Sequence, residues 1–198
     1  MGDVDPAADP GRGGGHAADR ALLTAVAGRD PVAVRRLLDE VAPVVFGFLY
    51  ARVGGDEAAA EDLLQETLLE AVRSAATYRG DAALSTWLCA IARHRLGRHY
   101  EAERRAAAAR ARLHLVAGTD GDHSGGDQVE RRDEVVRALG RLPAVHRQVL
   151  VLKYLDGRSV EEIATELGRT RVQVQSLLQR AREGMRRELG DEGVDHRA

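Results

Sequence analysis

RLPAVHRQVLVLKYLDGRSVEEIATELGRTRVQVQSLLQRAREGMRREL, residues 141–189, carries two helix-start signals of the same form in close succession. Ser159-Val160-Glu161-Glu162 and Thr170-Arg171-Val172-Gln173 each place a hydroxyl residue three positions before Glu or Gln. In that spacing the two side chains satisfy each other's otherwise orphaned backbone N–H groups. The first box starts a short helix, EEIATEL, which stops at Gly168, and the second starts a longer one to about Leu189. Upstream, Leu142-Pro143 opens a helix through HRQVLVLKYL that Asp156-Gly157 ends. A short helix, a glycine turn and a second helix with a polar, basic front predict a helix-turn-helix. Any αα-hairpin shares that outline. Charge favours DNA: from Arg171 to Arg187 five arginines face one glutamate, a surface suited to phosphates.

Outward from this segment the chain reads as all-α. Sustained period-two alternation is missing, and Ala, Leu, Glu and Arg dominate over β-branched residues. Asp30-Pro31 caps and opens a helix through Glu40, Pro43 restarts it through VVFGFLYARV, and Gly54-Gly55 ends it. Asp56 caps a long helix to about Ala76, with Leu64, Leu68 and Val72 expected on its apolar face. After a loop, Ser85 or Thr86 starts another helix with Trp87, Leu88, Ile91 and Leu96 on its apolar side. Residues 118–128, GTDGDHSGGDQ, have linker composition. The expected organisation is two small helical domains joined by a flexible acidic, Gly-rich linker. Residues 1–18 form an unstructured tail, 19–112 one domain, 113–128 the linker, 129–190 the helix-turn-helix domain, and 191–198 a second tail.

Composition narrows the function classes. The chain has 198 residues, a formal charge of −2 and one cysteine, Cys89, which fits a reducing cytoplasm without structural disulfides. No stretch is long and apolar enough for a membrane span and the N-terminus does not resemble a signal peptide, so a cytoplasmic location without membrane insertion is expected. The small net charge hides segregated blocks. Asp56–Glu70 holds six acidic and no basic residues, whereas Arg93–Arg112 holds seven arginines and two glutamates. Opposite blocks on separate elements point to more than one charged partner.

AEDLLQETLLEAV (60–72) followed by YRGDAALSTWLCAIARHRL (78–96) resembles the promoter-melting domain of bacterial extracytoplasmic-function (ECF) sigma factors of the sigma-70 family. RLPAVHRQVLVLKYLDGRSVEEIATELG with QSLLQRAREGMRREL resembles their C-terminal domain, which reads the −35 element. The two segments stand in the family's order and together span most of the chain. The resemblance implies that residues 19–112 are sigma region 2, for core binding, −10 recognition and melting, and residues 129–190 sigma region 4. It implies a factor that directs core RNA polymerase to promoters and helps open them. The implied partners are the polymerase β′ coiled coil and β flap, promoter DNA and an anti-sigma factor.

The resemblance also assigns residues. Glu61, Asp62, Gln65 and Glu66 match the motif that grips the basic coiled coil, and Arg–carboxylate pairing would orient that contact. Tyr78, Arg79, Gly80, Asp81 and Ser85 are the implied contacts at the −10 element, and the short, small-sided loop Gly80–Ser85 can receive an extruded base there. Arg93, Arg95, Arg98 and His99 follow on a helix able to neutralise phosphates. Trp87 shares a face with Leu84, Leu88 and Ile91 and reads as core more than as a stacking platform. Thr170, Arg171, Gln173, Gln175, Ser176, Gln179 and Arg180 would face the −35 duplex, where Arg can read guanine and Gln adenine. Gln175 and Leu177 stand where the family often has Lys and Arg, and Leu84 where it commonly has an aromatic residue.

No enzyme signature competes: the chain has no Walker loop, GxSxG or HExxH, and its histidines lack ligand spacing. No cofactor, metal or catalytic role is expected, and Cys89 reads as a core thiol. The alternative is a stand-alone helix-turn-helix regulator with an N-terminal interaction bundle, which would need neither the acidic helix nor the loop after it.

Overall fold

A computed structural model describes residues 11–113 and 130–191. Among the described residues there is no strand, and nine α-helices follow in order: α1 Gly11–Ala27, α2 Pro31–Arg36, α3 Ala42–Val53, α4 Glu57–Arg73, α5 Leu84–Leu113, α6 Glu130–Arg141, α7 Ala144–Leu150, α8 Val160–Leu167 and α9 Arg171–Asp191. The described residues divide into two compact units, one of 11–48 and 61–95, the other of 49–60, 96–113 and 130–191. Residues 114–129, which include most of the expected linker, and residues 192–198 lie outside the described residues.

The first helix corrects a compositional expectation. Glycine-rich residues 1–18 predict an unstructured tail, yet α1 begins at Gly11. Tertiary contacts outweigh poor propensity here: Leu22, Leu23 and Val26 are buried, and Asp19 and Arg20 bond to the segment around residues 79–84. Asp30 then caps α2 as its sequence predicts, its carboxylate accepting from the N–H groups of Val32 and Ala33 at 2.8 and 3.0 Å.

Pro43 was expected to break and restart the helix, but α2 and α3 run on through a π-turn at Leu37–Val41. The Ala42 N–H reaches back to the Leu37 carbonyl, and the widened turn makes room for a residue that has no N–H to donate. A second π-turn at Val151–Leu155 extends α7, and the Asp156 N–H closes it on the Val151 carbonyl.

α4 is capped by Asp56, whose carboxylate accepts from the Ala59 N–H at 2.9 Å. Its buried stripe is Ala60, Leu63, Thr67 and Ala71, whereas Leu64 and Leu68 are half-buried and Val72 is exposed. The expected stripe of Leu64, Leu68 and Val72 is thus displaced by one position. One residue turns a helix about 100°, and leucines on both flanks leave the sequence unable to choose. Thr67 fits the core because its hydroxyl donates to the Leu63 carbonyl at 2.7 Å. In α5 the buried stripe is Leu84, Leu88, Ala92, Leu96 and Tyr100, with Trp87 and Ile91 at its half-buried edge.

The second unit is held by charge as well as apolar packing. Arg52 donates to Asp156 from Nε and Nη2 at 3.2 and 2.7 Å, and Tyr100 donates to the Arg52 carbonyl at 2.7 Å. Arg147 spans both oxygens of Glu103 at 2.6 and 2.7 Å. Gly54, at φ +75°, and Gly140 meet backbone to backbone, so a Cβ on either would collide with the other. Leu139, Leu142, Val149, Ile163, Val174, Leu178 and Ala181 build the core beneath α6–α9.

Both predicted boxes form. The Glu162 N–H donates to the Ser159 hydroxyl at 3.1 Å and the Ser159 N–H to the Glu162 carboxylate at 2.8 Å. The Ser159 N–H first, then the Ser159 hydroxyl and the Arg158 guanidinium, hold the Glu162 carboxyl below the usual carboxylate range. Thr170 and Gln173 repeat the exchange at 2.9 and 3.2 Å. Gly168 sits at φ +60°, and the Arg169 N–H returns to the Ala164 carbonyl, a left-handed helix stop that favours glycine.

Burial first, and the Arg180 guanidinium second, hold His146 below the ordinary histidine range. The fold therefore prefers the neutral ring. Its contribution is complete above pH ~6.5 and is lost as pH falls from there toward the folded-state value. His146→Gln should flatten the acid decline of the thermal midpoint below pH ~6.5. Parallel declines for variant and parent would refute this.

Candidate nucleic-acid and protein interfaces

The solvent side of α4 is acidic. Glu61, Asp62, Gln65 and Glu66 are all exposed, and their spacing sets them on adjoining helical rows. Leu69, 56% exposed, follows on the same side, an apolar residue that the sequence reading did not single out. Arg95 approaches from α5 and bonds to Glu66 at 3.4 Å and Glu70 at 2.9 Å. Arg95, expected among the phosphate-binding arginines, has its guanidinium against the acidic helix.

Downstream, Tyr78, where the loop begins, is buried at 7% exposure. Its hydroxyl donates to the Ala82 carbonyl at 2.6 Å, and its ring meets Trp87 at 5.2 Å between centroids. Burial, reinforced by Asp19, raises its pKa. Arg79 and Asp81 are exposed, and Gly80 and Ser85 half-buried. Gly80, at φ +82°, stands against the Arg20 side chain and the His16 carbonyl, leaving no easy room for a Cβ. The Leu84 N–H, first of α5, donates to Asp19 Oδ2 at 2.9 Å. Ser85 and Thr86, expected to begin the helix, lie inside it. No local signal could have shown this cap, because Asp19 precedes Leu84 by 65 positions.

On the rest of α5, Arg93 and Arg98 are exposed, with Arg93 over the Phe48 ring at 5.1 Å. His99 is half-buried, 3.6 Å from Glu103. His94, exposed and four positions before Arg98, adds a polar group to the same face.

Thr170, Arg171, Gln173, Gln175, Ser176, Gln179 and Arg180 are all exposed on the front of α9. Not all are equally available. The Gln173 side-chain oxygen is taken by the capping box, Arg171 pairs with Glu161 at 3.2 Å, Gln179 donates to Glu183, and Arg180 bonds to Ser176. Leu177 is buried in the core. Val172 stands 72% exposed between Arg171 and Gln173. Behind this face an apolar cleft of about 310 Å³ is lined by Val135, Leu139, Leu150, Tyr154, Leu155 and Met185.

Among the described residues no three His, Cys, Asp or Glu side chains are placed to hold a metal, and no helix is long and apolar enough to cross a membrane. Cys89 is half-buried.

Comparison with known proteins matches residues 37–106 to the family described as Sigma-70 region 2 and residues 132–185 to Sigma-70, region 4. The chain is 35% identical over 185 residues to the ECF RNA polymerase sigma factor SigL of Mycobacterium tuberculosis, covering 88% of this chain and 98% of SigL. It is 31% identical over 169 residues to the ECF RNA polymerase sigma factor BldN of Streptomyces coelicolor, covering 79% of this chain and 60% of BldN. A solved structure of the sigma factor RpoE with the anti-sigma factor NepR, from Bartonella quintana, aligns at 24% identity over 79% of this chain and 95% of that one, with a TM-score of 0.44.

Proposed function

The chain belongs to the ECF branch of the sigma-70 family, a family of transcription factors rather than enzymes, and from that premise we propose that it binds core RNA polymerase, directs it to specific promoters and assists their opening. The observation that carries this is the pair of family matches, in order, on one chain that covers 98% of SigL. Residues 19–112 act as region 2 and residues 129–190 as region 4. In this reading polymerase supplies the chemistry, and the factor works in the cytoplasm with it.

Each surface has a role in this reading. Glu61, Asp62, Gln65 and Glu66 meet the basic β′ coiled coil, with Leu69 packing at the edge of the charged contact. Residues 79–85 receive an unstacked −10 base, Arg93 and Arg98 track the phosphates, and Arg95 serves by keeping α4 in place. The front of α9 reads the −35 duplex, with Gln175 the least engaged of its glutamines. Val172 offers an apolar contact for a thymine methyl. The apolar cleft suits the β flap. A factor with all these faces exposed needs a means of silencing, and a separate anti-sigma protein covering the acidic helix is the proposed one. The stand-alone regulator is not favoured, because it gives neither the acidic helix nor the loop after it a task.

Transcription reconstituted with core polymerase from a related bacterium, followed by mapping of RNA 5′ ends on genomic fragments, tests the proposal. New start sites sharing −35 and −10 sequences at fixed spacing are expected. Duplex binding that neither recruits core nor yields transcripts would favour the stand-alone regulator.

A further inference from the structure

Asp19 has no part in the surfaces just described, yet it ties α1 to the loop between α4 and α5. Its Oδ2 accepts the Leu84 N–H at 2.9 Å and lies 3.5 Å from the Tyr78 hydroxyl. The two bonded groups mark the two ends of the loop. Between them Tyr78 closes on the Ala82 carbonyl at 2.6 Å, and Gly80 rests against the Arg20 stem and His16 backbone. The first N–H groups of a helix have no partner within it, and a carboxylate there also meets the positive end of the helix dipole. α5 takes its carboxylate from another helix. The capping bond therefore sets where α5 begins and how residues 79–83 are drawn between the Tyr78 ring and the helix.

We propose that Asp19 is a positioning residue for promoter opening: by capping α5 in trans it holds residues 79–83 in the shape that receives an extruded base. The assignment rests on the sigma-factor reading above. Asp19 itself need not touch DNA. It acts through the Leu84 amide and the Tyr78 hydroxyl, and without it the loop must order itself each time a base arrives, which slows the melting step and not the initial encounter.

The test uses the full chain assembled with core polymerase on a promoter mapped with the parent factor. A 2-aminopurine in the −10 element reports opening, and varying the holoenzyme concentration separates initial binding from the isomerisation that follows. Asp19→Ala should slow isomerisation about tenfold, the scale of a lost cap, with initial binding and core affinity unchanged. Asp19→Asn should restore most of the rate, because its amide oxygen can accept the same N–H. Asp19→Ser, polar enough for the site but too short to reach Leu84, should match Asp19→Ala without a large fall in melting temperature. Isomerisation at the parent rate in the Ala and Ser variants would overturn the proposal. So would an equal loss of core affinity, initial binding and isomerisation, which would mark Asp19 as a general stabiliser. A parent factor that opens no promoter would overturn the sigma-factor reading as well, and shows itself before any variant is compared.

Discussion

A chain carrying Asp62→Lys and Glu66→Lys is expected to lose core RNA polymerase while keeping its helical fold. Both side chains point to solvent on α4, so neither reversal disturbs the Ala60, Leu63, Thr67 and Ala71 stripe. Glu66 gives up its 3.4 Å contact with Arg95, but Glu70 keeps its own at 2.9 Å, so the brace between α4 and α5 survives. At the proposed interface with the basic coiled coil two attractions become two repulsions. Like charges facing across a contact cost several kcal/mol, so affinity should fall by roughly a hundredfold or more. Binding of labelled core at near-physiological salt, alongside circular dichroism, gives the answer. Undiminished core binding by the folded variant would place the docking face elsewhere on the molecule.

Ile163→Ala should be the most damaging single change in the C-terminal helices. Ile163 is fully buried, the apolar anchor of α8 against Val174, Leu178 and Ala181. Removing that much buried side chain costs about 2–5 kcal/mol in transfer and cavity terms, a large share of the stability of so small a core. The face of α9 proposed to read the −35 element is presented by this packing, so discrimination of that element should fall with stability. Val172→Ala provides the contrast: at 72% exposure it should leave stability within about 0.5 kcal/mol and alter only DNA preference. Denaturant unfolding of both variants, followed by −35 duplex binding, separates the two effects. An Ile163→Ala variant as stable as the parent would contradict the packing described for α8.

The C-terminal signals were legible because they are local. Ser159 and Glu162, Thr170 and Gln173, and the stop at Gly168 each work within one helical turn, where backbone geometry alone brings the partners together. Asp30 and Asp56 were legible as caps for the same reason. The acidic face of α4 could be read as well, since Glu61, Asp62, Gln65 and Glu66 are neighbours on any helix that contains them.

Local pattern stopped short wherever a choice depended on what lies across from a helix. Leu64, Leu68 and Val72 are as apolar as the stripe that is buried, and only the facing helices turn Leu63 and Thr67 inward. Arg95 has the chemistry of a phosphate ligand and is drawn to Glu66 and Glu70. Leu177 sits in a polar helix front by sequence and in the core by rotation. Tyr78, an aromatic residue at a loop, is closed in by Ala82 and Trp87.

Helix content, caps, glycine stops and the segregation of charge thus followed from residues within about four positions of one another, the reach of an i to i+4 bond. Partners remote along the chain did not. Asp19 with Leu84, Arg52 with Asp156 and Glu103 with Arg147 are separated by 65, 104 and 44 positions. The donors here are the Leu84 amide and two guanidiniums and the acceptors are carboxylates, groups that many other partners along the chain could equally satisfy. Each pairing is selected only when packing of buried stripes excludes water and leaves one opposite group within reach. That selection turned a glycine-rich start into a helix that braces a loop.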